Sequence, residues 1–301
     1  MGGSSDLEKY IRHHGRGCVV SFPINVYTYI NFHRDKLGYN SYDKKYQISY
    51  SKHELVDNVD DIKNDIVREA FRHFNVSPCL LSMTGDVFAN GSGLASSSSY
   101  MISVIKAILH SQGIKKSNYE ICDIAMRLER AFNPLLGYQD TYGCGIGSLK
   151  RMDFEINKPP KITYMPVDLL NSFDIYIVFT GATRSSTNVL ESVKITNDDS
   201  LLDIVDQMEK SLIEGDRHSF VNIIKEGWHL KKKTTDKILS NSRLKDMDVS
   251  FASDKKILCH KLCGAGNGGF FLLFYEKGNK PQTKYTYLKI GVDYYGAKII
   301  Y

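Results

Sequence analysis

The residues with the clearest chemical potential are the glycines and serines of residues 90–99, Asn-Gly-Ser-Gly-Leu-Ala-Ser-Ser-Ser-Ser. They precede residues 100–112, where apolar side chains from Met101 to Ile108 recur at the spacing of a helix with one buried face. A flexible loop that enters a helix presents unpaired backbone N–H groups and the positive end of the helix dipole, which suits a phosphate group. We expect a serine to cap this helix and Gly113 to end it. The alternative is an ordinary capping loop without a ligand.

A second glycine run lies near the C-terminus, at residues 261–269, Lys-Leu-Cys-Gly-Ala-Gly-Asn-Gly-Gly. Apolar residues on both sides predict buried strands. Four glycines in six residues allow positive φ angles and a close approach of the backbone to a ligand. The alternative is a long hairpin turn. Neither run has the spacing of a Walker A loop or of a dinucleotide-binding fingerprint.

The two runs together resemble motifs of the GHMP kinase superfamily, which is named for galactokinase, homoserine kinase, mevalonate kinase and phosphomevalonate kinase. Residues 93–98 are similar to its Gly-Leu-Gly-Ser-Ser-Ala phosphate motif, and residues 264–269 match its Gly-Ala-Gly-x-Gly-Gly motif. Four further segments resemble, in order, blocks of the bacterial kinases of D-glycero-D-manno-heptose 7-phosphate: residues 2–10, 137–143, 180–184 and 226–233. The resemblance therefore covers nearly the whole chain.

The resemblance implies an α+β fold with two lobes, the first like ribosomal protein S5 and the second ferredoxin-like. We place the N-terminal, nucleotide phosphate-binding domain at residues 1–158 and the C-terminal domain at residues 159–301. The charged segment 151–161, which contains Pro159 and Pro160, predicts a turn or a lobe boundary between them.

The resemblance also implies a role for each block in binding ATP and Mg²⁺. The residues expected to bind the ATP phosphates are Gly91, Ser92, Gly93, Leu94, Ala95, Ser96, Ser97 and Ser98. Ser97 and Glu129 are the candidate magnesium ligands. Glu129 lies at the C-terminal end of a predicted helix, where the helix dipole disfavours a carboxylate. Its presence there suggests a functional role. The alternative is that Glu129 pairs with Arg130.

Asp140 matches the family's catalytic aspartate and is the candidate base. It lies in a turn-like segment between Gly137 and Gly143, from which a carboxylate can project into a cleft. The alternative is a turn aspartate that hydrogen-bonds to its own backbone. The residues expected to bind the acceptor substrate are Ser5, Asp6, Arg184, Gly264, Ala265 and Gly266. One lysine of Lys231–Lys233 is a further candidate for a phosphate contact, although a solvated helix face explains these residues equally well.

Two departures from the family's pattern affect these expectations. Ala95 stands where the family has glycine, and its methyl group is expected to hinder the approach of the backbone to phosphate. The family also carries a strand ahead of the segment that matches residues 2–10, so we expect a sheet edge without its partner strand.

The composition agrees with an enzyme and excludes several other classes. The chain has 301 residues, 42% of them hydrophobic, and a formal net charge of +5. No apolar run is long enough to span a bilayer, and no signal peptide opens the sequence. No basic stripe interleaved with aromatic residues indicates nucleic-acid binding. We therefore expect a cytoplasmic protein without nucleic-acid or membrane partners, with its six cysteines reduced; monomer and homodimer both stay open.

These observations lead to one expected function and two alternatives. The resemblance implies an ATP- and Mg²⁺-dependent kinase that phosphorylates the anomeric hydroxyl of D-glycero-D-manno-heptose 7-phosphate. In the family the resulting 1,7-bisphosphate leads to nucleotide-activated heptose for surface polysaccharides. The alternatives are a GHMP kinase for another sugar or sugar phosphate, and a catalytically silent binding protein of the same fold.

Overall fold

The computed structural model describes residues 1–34, 45–87, 91–183, 189, 191–192 and 199–300. Its helices are α1 Glu8–His14, α2 Asp65–Phe74, α3 Ser96–Ser111, α4 Asn118–Arg130, α5 Tyr138–Gly145, α6 Asp168–Asn171, α7 Ser200–Glu214, α8 Arg217–Thr234 and α9 Ser242–Ser253. Its strands are β1 Gly17–Ser21, β2 Thr28–His33, β3 Tyr46–Ser49, β4 His53–Val56, β5 Leu80–Gly85, β6 Lys150–Phe154, β7 Lys161–Tyr164, β8 Phe173–Phe179, β9 Ile257–Leu262, β10 Phe270–Glu276 and β11 Tyr287–Ile290. Short 3₁₀ turns occur at Val59–Asp61 and Asp236–Leu239.

The strands of the described residues form three sheets. β1, β6 and β7 make an antiparallel sheet, and β11, β8, β10 and β9 make a second one in that order. The third sheet has the order β2-β5-β3-β4 and is antiparallel except between β3 and β5. The mixture of helices and sheets confirms the α+β prediction.

Helix α3 is the central helix of the first half of the chain. Met101, Val104, Ile105 and Ile108 are all buried, which confirms the predicted apolar face. They share one hydrophobic cluster with α2, α4 and the third sheet. The helix begins four residues earlier than expected, at Ser96, so it starts directly at the glycine- and serine-rich run.

The segment predicted to be a turn or lobe boundary forms a strand hairpin. β6 pairs with both β1 and β7, and the alternation of buried and half-buried residues along β6 explains why a charged segment forms a strand here. The boundary expected between residues 158 and 159 lies in the turn of this hairpin, and the division into two domains stays a prediction.

The outer edge of β1 is engaged by the N-terminal segment. The backbone of Val20 exchanges both hydrogen bonds with Met1, at 3.1 and 2.5 Å. The Ser5 hydroxyl donates to the Cys18 carbonyl at 2.6 Å and accepts from the Cys18 N–H at 3.1 Å. Part of the edge that was expected to lack its partner strand is thus satisfied by residues of this chain.

In the described residues no helix combines the length and the apolar character needed to cross a membrane. All six cysteines are free thiols, as expected.

Candidate active site

The first glycine run forms an irregular loop that turns sharply into α3. Gly91, Gly93 and Ala95 all have left-handed backbones, with φ of 67°, 72° and 57°. Ala95 is the N-cap and no side chain caps the helix, so the prediction of a serine cap was wrong. The Ser92 hydroxyl instead lies 2.7 Å from that of Ser96 within the loop. The first-turn N–H groups of α3 are therefore left without a side-chain cap, which is the arrangement that favours an anion.

The second glycine run packs directly against this loop. A Cβ atom on Gly269 would lie 2.1 Å from the Ser92 carbonyl oxygen, so only glycine allows this contact. The Gly269 N–H donates to Ala182 at 2.9 Å, and the Gly269 carbonyl accepts from Thr180 at 3.0 Å. The run does connect two antiparallel strands, β9 and β10, but its glycines also make the contact between the two loops possible.

Glu129 lies beneath the first turn of α3 and is completely buried. Its Oε2 accepts a hydrogen bond of 2.7 Å from the Ser98 hydroxyl, while Oε1 is buried without a hydrogen-bond partner. Burial raises the pKa of Glu129, the nearby Ser97 and Ser98 hydroxyls lower it, and the nearby Asp140 carboxylate raises it again. A buried carboxylate oxygen without a donor is a position where a cation would be stabilising.

The alternative explanation for Glu129, an ion pair with Arg130, does not match the structure. Arg130 points to Glu8, with 3.7 Å between the charged groups, and donates to the Leu136 carbonyl at 3.3 Å. Its guanidinium also lies 5.0 Å from the centre of the Tyr138 ring. Glu129 is therefore available for another role.

Asp140 lies in the first turn of α5, in a segment predicted to be turn-like. The Asp6 carboxylate accepts the Gln139 N–H at 3.0 Å at the start of this helix, and a Cβ on Gly137 would come within 2.0 Å of Asp6 Oδ2. At the other end the Lys150 ammonium donates to the carbonyls of Gly143 at 3.0 Å and Ile146 at 2.6 Å. An anion at the N-terminus and a cation at the C-terminus both complement the helix dipole, so α5 is fixed at both ends.

Ser5 and Asp6 face the interior. Asp6 is 1% exposed, and its other oxygen, Oδ1, accepts the Ser4 N–H at 3.1 Å. Burial raises the pKa of Asp6 to about 6, against the lowering effect of the backbone hydrogen bonds. Ser5 is completely buried against Cys18. Neither residue lines the cavity described next, whereas Gly3 does.

A cavity of about 470 Å³ lies between the N-terminus of α3, helix α5 and the second glycine run, and the predicted metal ligands Ser97 and Glu129 are not among its lining residues. Residues 91–99, called the phosphate loop below after their predicted role, line it with Gly93, Leu94, Ala95, Ser96 and Ser99. Gln139 and Asp140 line it from α5, and Gly264 lines it from the second glycine run, while Ala265 and Gly266 do not. Gly266 instead packs against the backbone of Ile238. Arg184 lies outside the described residues.

Two cavity residues were missed in the sequence. Gln139 stands next to the predicted base, and a Cβ on Gly3 would lie 3.2 Å from its Oε1. Lys261 directly precedes the second glycine run, and its place in that run was the signal that could have identified it. Both line the cavity.

The residues present fit a divalent cation that is held partly by a ligand. In the described chain no group of three or more His, Cys, Asp or Glu residues could hold a metal alone. Magnesium typically takes one or two protein ligands and completes its shell with water and substrate phosphates. The orphaned Oε1 of Glu129 beneath the phosphate loop, close to Ser97, provides such a partial site.

Residues 62–148 match the model of the GHMP kinase N-terminal domain. The chain carries a GHMP kinase N-terminal domain. The matched residues include the phosphate loop at the start of α3, Glu129 in α4 and Asp140 in α5. The match to this domain and the kinase relative described next show that the chain is a sugar kinase, that is, a phosphotransferase.

Known proteins resemble the chain well beyond this GHMP domain. It is 27% identical to the D-glycero-α-D-manno-heptose 7-phosphate kinase of Campylobacter jejuni, over 96% of this chain and 88% of that protein. The crystal structure of a D-glycero-D-manno-heptose 1-phosphate kinase from Bacteroides thetaiotaomicron is 20% identical, with a TM-score of 0.73 over 100% of this chain and 96% of that one. Lactococcus lactis galactokinase, complexed with galactose, is 14% identical with a TM-score of 0.71, over 99% and 92%. The GHMP kinase fold thus extends over both halves of the chain.

Proposed function

We propose that the chain transfers the γ-phosphoryl group of ATP to the anomeric hydroxyl of D-glycero-D-manno-heptose 7-phosphate and forms the 1,7-bisphosphate. The observation that carries the proposal is one cavity lined both by the uncapped N-terminus of α3 and by Asp140, with the buried Glu129 carboxylate against Ser98 in the first turn of that helix. The heptose 7-phosphate kinase relative, which the chain matches over 96% of its length, supports this choice of acceptor.

The phosphates of ATP bind at the N-terminus of α3. Backbone N–H groups of Gly93–Ser96 and the helix dipole offset their negative charge. Ser97 and Glu129 would hold Mg²⁺, which supplies charge neutralisation for the β- and γ-phosphates. The buried position of Glu129 keeps this carboxylate away from bulk water, so its attraction to a cation is strong.

Asp140 accepts the proton of the anomeric hydroxyl. The hydroxyl oxygen then forms a bond to the γ-phosphorus, the bond between that phosphorus and the β–γ bridging oxygen breaks, and ADP leaves with the electron pair. The fixed ends of α5 hold Asp140 in place during this step, because Asp6 and Lys150 restrain the helix backbone. Gln139 and Gly3 border the same part of the cavity and are the residues we assign to acceptor contacts.

The proposal places the enzyme in the cytoplasm, where ATP is available, and in the supply of nucleotide-activated heptose for surface polysaccharides. A different sugar would leave the phosphate-binding part unchanged and alter only the acceptor contacts. A silent binding protein is the second candidate because the left-handed Ala95 strains the phosphate loop.

The test measures ADP release by the full chain with Mg²⁺ and ATP. The acceptors are D-glycero-D-manno-heptose 7-phosphate, mannose and fucose, beside a control without sugar. We expect release that depends on the heptose phosphate. Release with another sugar would overturn the choice of acceptor, and ATP binding without release with any acceptor would favour the silent binding protein.

A further inference from the structure

Three buried polar side chains from three different helices form one hydrogen-bonded network. The Thr141 hydroxyl of α5 donates to the Ser98 hydroxyl of α3 at 3.4 Å, and Ser98 donates in turn to Oε2 of Glu129 in α4 at 2.7 Å. Thr141 and Glu129 are completely buried and Ser98 is 1% exposed, so bulk water does not compete for these contacts. Because Thr141 directly follows Asp140, the network reaches from the candidate metal ligand to the helix that carries the candidate base.

Helices α4 and α5 also contact each other directly beside this network. The Cys122 thiol of α4 donates to the Thr141 carbonyl at 3.5 Å. A Cβ atom on Gly145, the last residue of α5, would lie 2.3 Å from Cys122 Sγ, so glycine permits this close approach. Cys122 and Glu129 lie about two turns apart on α4. Helix α4 is therefore linked to Thr141 at two places, directly by Cys122 and through Ser98 by Glu129.

The two hydroxyls act on Glu129 and not on a ligand. Neither Ser98 nor Thr141 lines the cavity, and among the described residues the Thr141 hydroxyl has no hydrogen-bond partner besides Ser98. Ser98 binds Oε2 of Glu129, which leaves the buried Oε1 as the oxygen available to a cation. Hydrogen bonds to a metal-ligating carboxylate fix its orientation, and their loss typically lowers metal affinity or activity by about 10- to 100-fold.

We propose that Ser98 and Thr141 are positioning residues that couple the binding of Mg²⁺ with ATP to the placement of Asp140. The inference rests on the proposed function, in which Glu129 would hold Mg²⁺ and Asp140 accepts the proton. Ser98 orients the Glu129 carboxylate, and Thr141 ties α5 to the same hydroxyl. The arrangement of α3 and α4 that suits the metal is thus also the one that fixes α5. By linkage, Mg²⁺ with ATP and the acceptor each strengthen the binding of the other.

The first test measures the binding of a non-hydrolysable ATP analogue to the full chain, with Mg²⁺ and with excess chelator. Thr141→Val removes the hydroxyl and should reduce the gain in affinity due to Mg²⁺ by about tenfold, although Thr141 contacts neither Glu129 nor the cavity. Thr141→Ser keeps the hydroxyl and should recover most of the gain. Ser211→Ala removes another buried hydroxyl, which donates to the Met208 carbonyl in α7, and as the matched control leaves the gain unchanged.

The second test follows helix α5 by amide hydrogen exchange of residues 138–145. In the unmodified protein, the analogue with Mg²⁺ should slow exchange in this helix more than the analogue with chelator does. In Thr141→Val the two conditions should give equal exchange, because the metal site no longer acts on α5.

The third test uses turnover at saturating Mg²⁺, ATP and acceptor. Ser98→Ala and Thr141→Val should each lower kcat by roughly tenfold, since Asp140 loses its fixed position. The double variant should be about as active as either single variant, because both substitutions interrupt the same network.

An unchanged gain from Mg²⁺ in Thr141→Val, with lower thermal stability as its one effect, would show that the network is purely structural and would overturn the proposal. Effects on kcat that multiply in the double variant would overturn it as well. If the unmodified protein gave no turnover with any acceptor, the proposed function would fail, and analogue binding and hydrogen exchange would then decide the coupling alone. A gain from Mg²⁺ that Ser98→Ala and Thr141→Val reduce equally supports the network, and the absence of any gain in the unmodified protein overturns it.

Discussion

At the scale of single residues, three carboxylates define the candidate site: those of Asp6, Glu129 and Asp140. Asp140 raises the pKa of both Asp6 and Glu129, so its carboxylate lies close enough to each of these two acids to repel it. Asp6 is satisfied by two backbone N–H groups, whereas one oxygen of Glu129 has no hydrogen bond. The three acids therefore have different surroundings: Asp6 binds backbone N–H groups, Glu129 has a buried oxygen at which a cation would be stabilising, and Asp140 lines the cavity.

Asp140→Asn should lower kcat by about 10²- to 10⁴-fold, because the amide cannot accept the hydroxyl proton. Thermal unfolding should change little, since Asp140 lines the cavity and is not part of the apolar core. Asp123→Asn, at an exposed position on α4, is the control with the same chemical change. Wild-type turnover by Asp140→Asn would show that another group takes the proton.

Glu129→Gln should be more stable than the unmodified protein when Mg²⁺ and ATP are absent. The pKa of Glu129 is raised by burial, so the ionised side chain destabilises the fold and its neutral amide analogue does not. The same variant should need more Mg²⁺, roughly tenfold, for half-maximal activity, because one ligand has lost its charge. Thermal unfolding and a magnesium titration of the rate measure the two effects. Lower stability with an unchanged magnesium requirement would indicate a purely structural glutamate.

At the scale of elements, α5 depends on charges from distant parts of the chain. Asp6 enters its N-terminus from the segment before α1, and Lys150 enters its C-terminus from β6. The segment was predicted to be turn-like because its glycines disfavour a helix, and that prediction could not include partners so far away in sequence. In the structure the segment forms helix α5, with Asp6 accepting an N–H at its N-terminus and Lys150 donating to carbonyls at its C-terminus.

Asp6→Asn should change how stability depends on pH. The pKa of Asp6 in the folded chain is about 6, against an ordinary value of 3.8. Between these values the folded chain holds a proton that the unfolded chain has released, so the contribution of Asp6 to the free energy of unfolding falls as pH rises, by about 1.4 kcal/mol per unit of pKa difference. The asparagine variant lacks this titration.

Denaturant unfolding at several pH values between 3.8 and about 6 measures the difference between the two proteins. This difference should shift in favour of Asp6→Asn as pH rises through the window and stay constant above it. A difference that is independent of pH would contradict the assignment of the shifted carboxyl group to Asp6.

The contact between the two glycine loops is tested by Gly269→Ala. Its Cβ would lie 2.1 Å from the Ser92 carbonyl oxygen, so the phosphate loop must shift. We expect the KM for ATP to rise at least tenfold, since the first turn of α3 would lose its position relative to the ligand. Gly278→Ala is a matched control, because Gly278 has a similar φ, 84° against 88°, and nothing within 4 Å of its Cβ position. Equal effects of the two substitutions would mean that backbone strain alone, and not the loop contact, matters.

Local patterns predicted the elements that depend on local sequence. The apolar face of α3 and the strands around the second glycine run follow from spacing within a few residues, and the structure has them. The strands β6 and β7 were missed, because charges and prolines there resemble a turn and pairing with β1 decides the outcome. The inward orientation of Ser5 and Asp6 was missed for the same reason, since Cys18 and α5 lie far from them in sequence.

At the scale of the whole molecule, the N-terminal segment is part of the core of the second half. Leu7, Tyr10 and Val20 share one hydrophobic cluster with residues of α7 and α8. The phosphate loop and Asp140 come from the first half, whereas Lys231, Lys261 and Gly264 come from the second. The cavity is therefore complete only when both halves of the chain contribute, and the acceptor would contact each of them.

The central claim is that a phosphoryl group is transferred from ATP to a particular oxygen of a sugar phosphate, and the identity of the product tests it most directly. Phosphorus NMR of the full chain incubated with Mg²⁺, ATP and D-glycero-D-manno-heptose 7-phosphate follows each phosphate separately. We expect a second sugar phosphate signal, coupled to the anomeric proton, that grows as ADP forms. Loss of ATP to ADP and inorganic phosphate without such a signal, or phosphate on another hydroxyl, would contradict it.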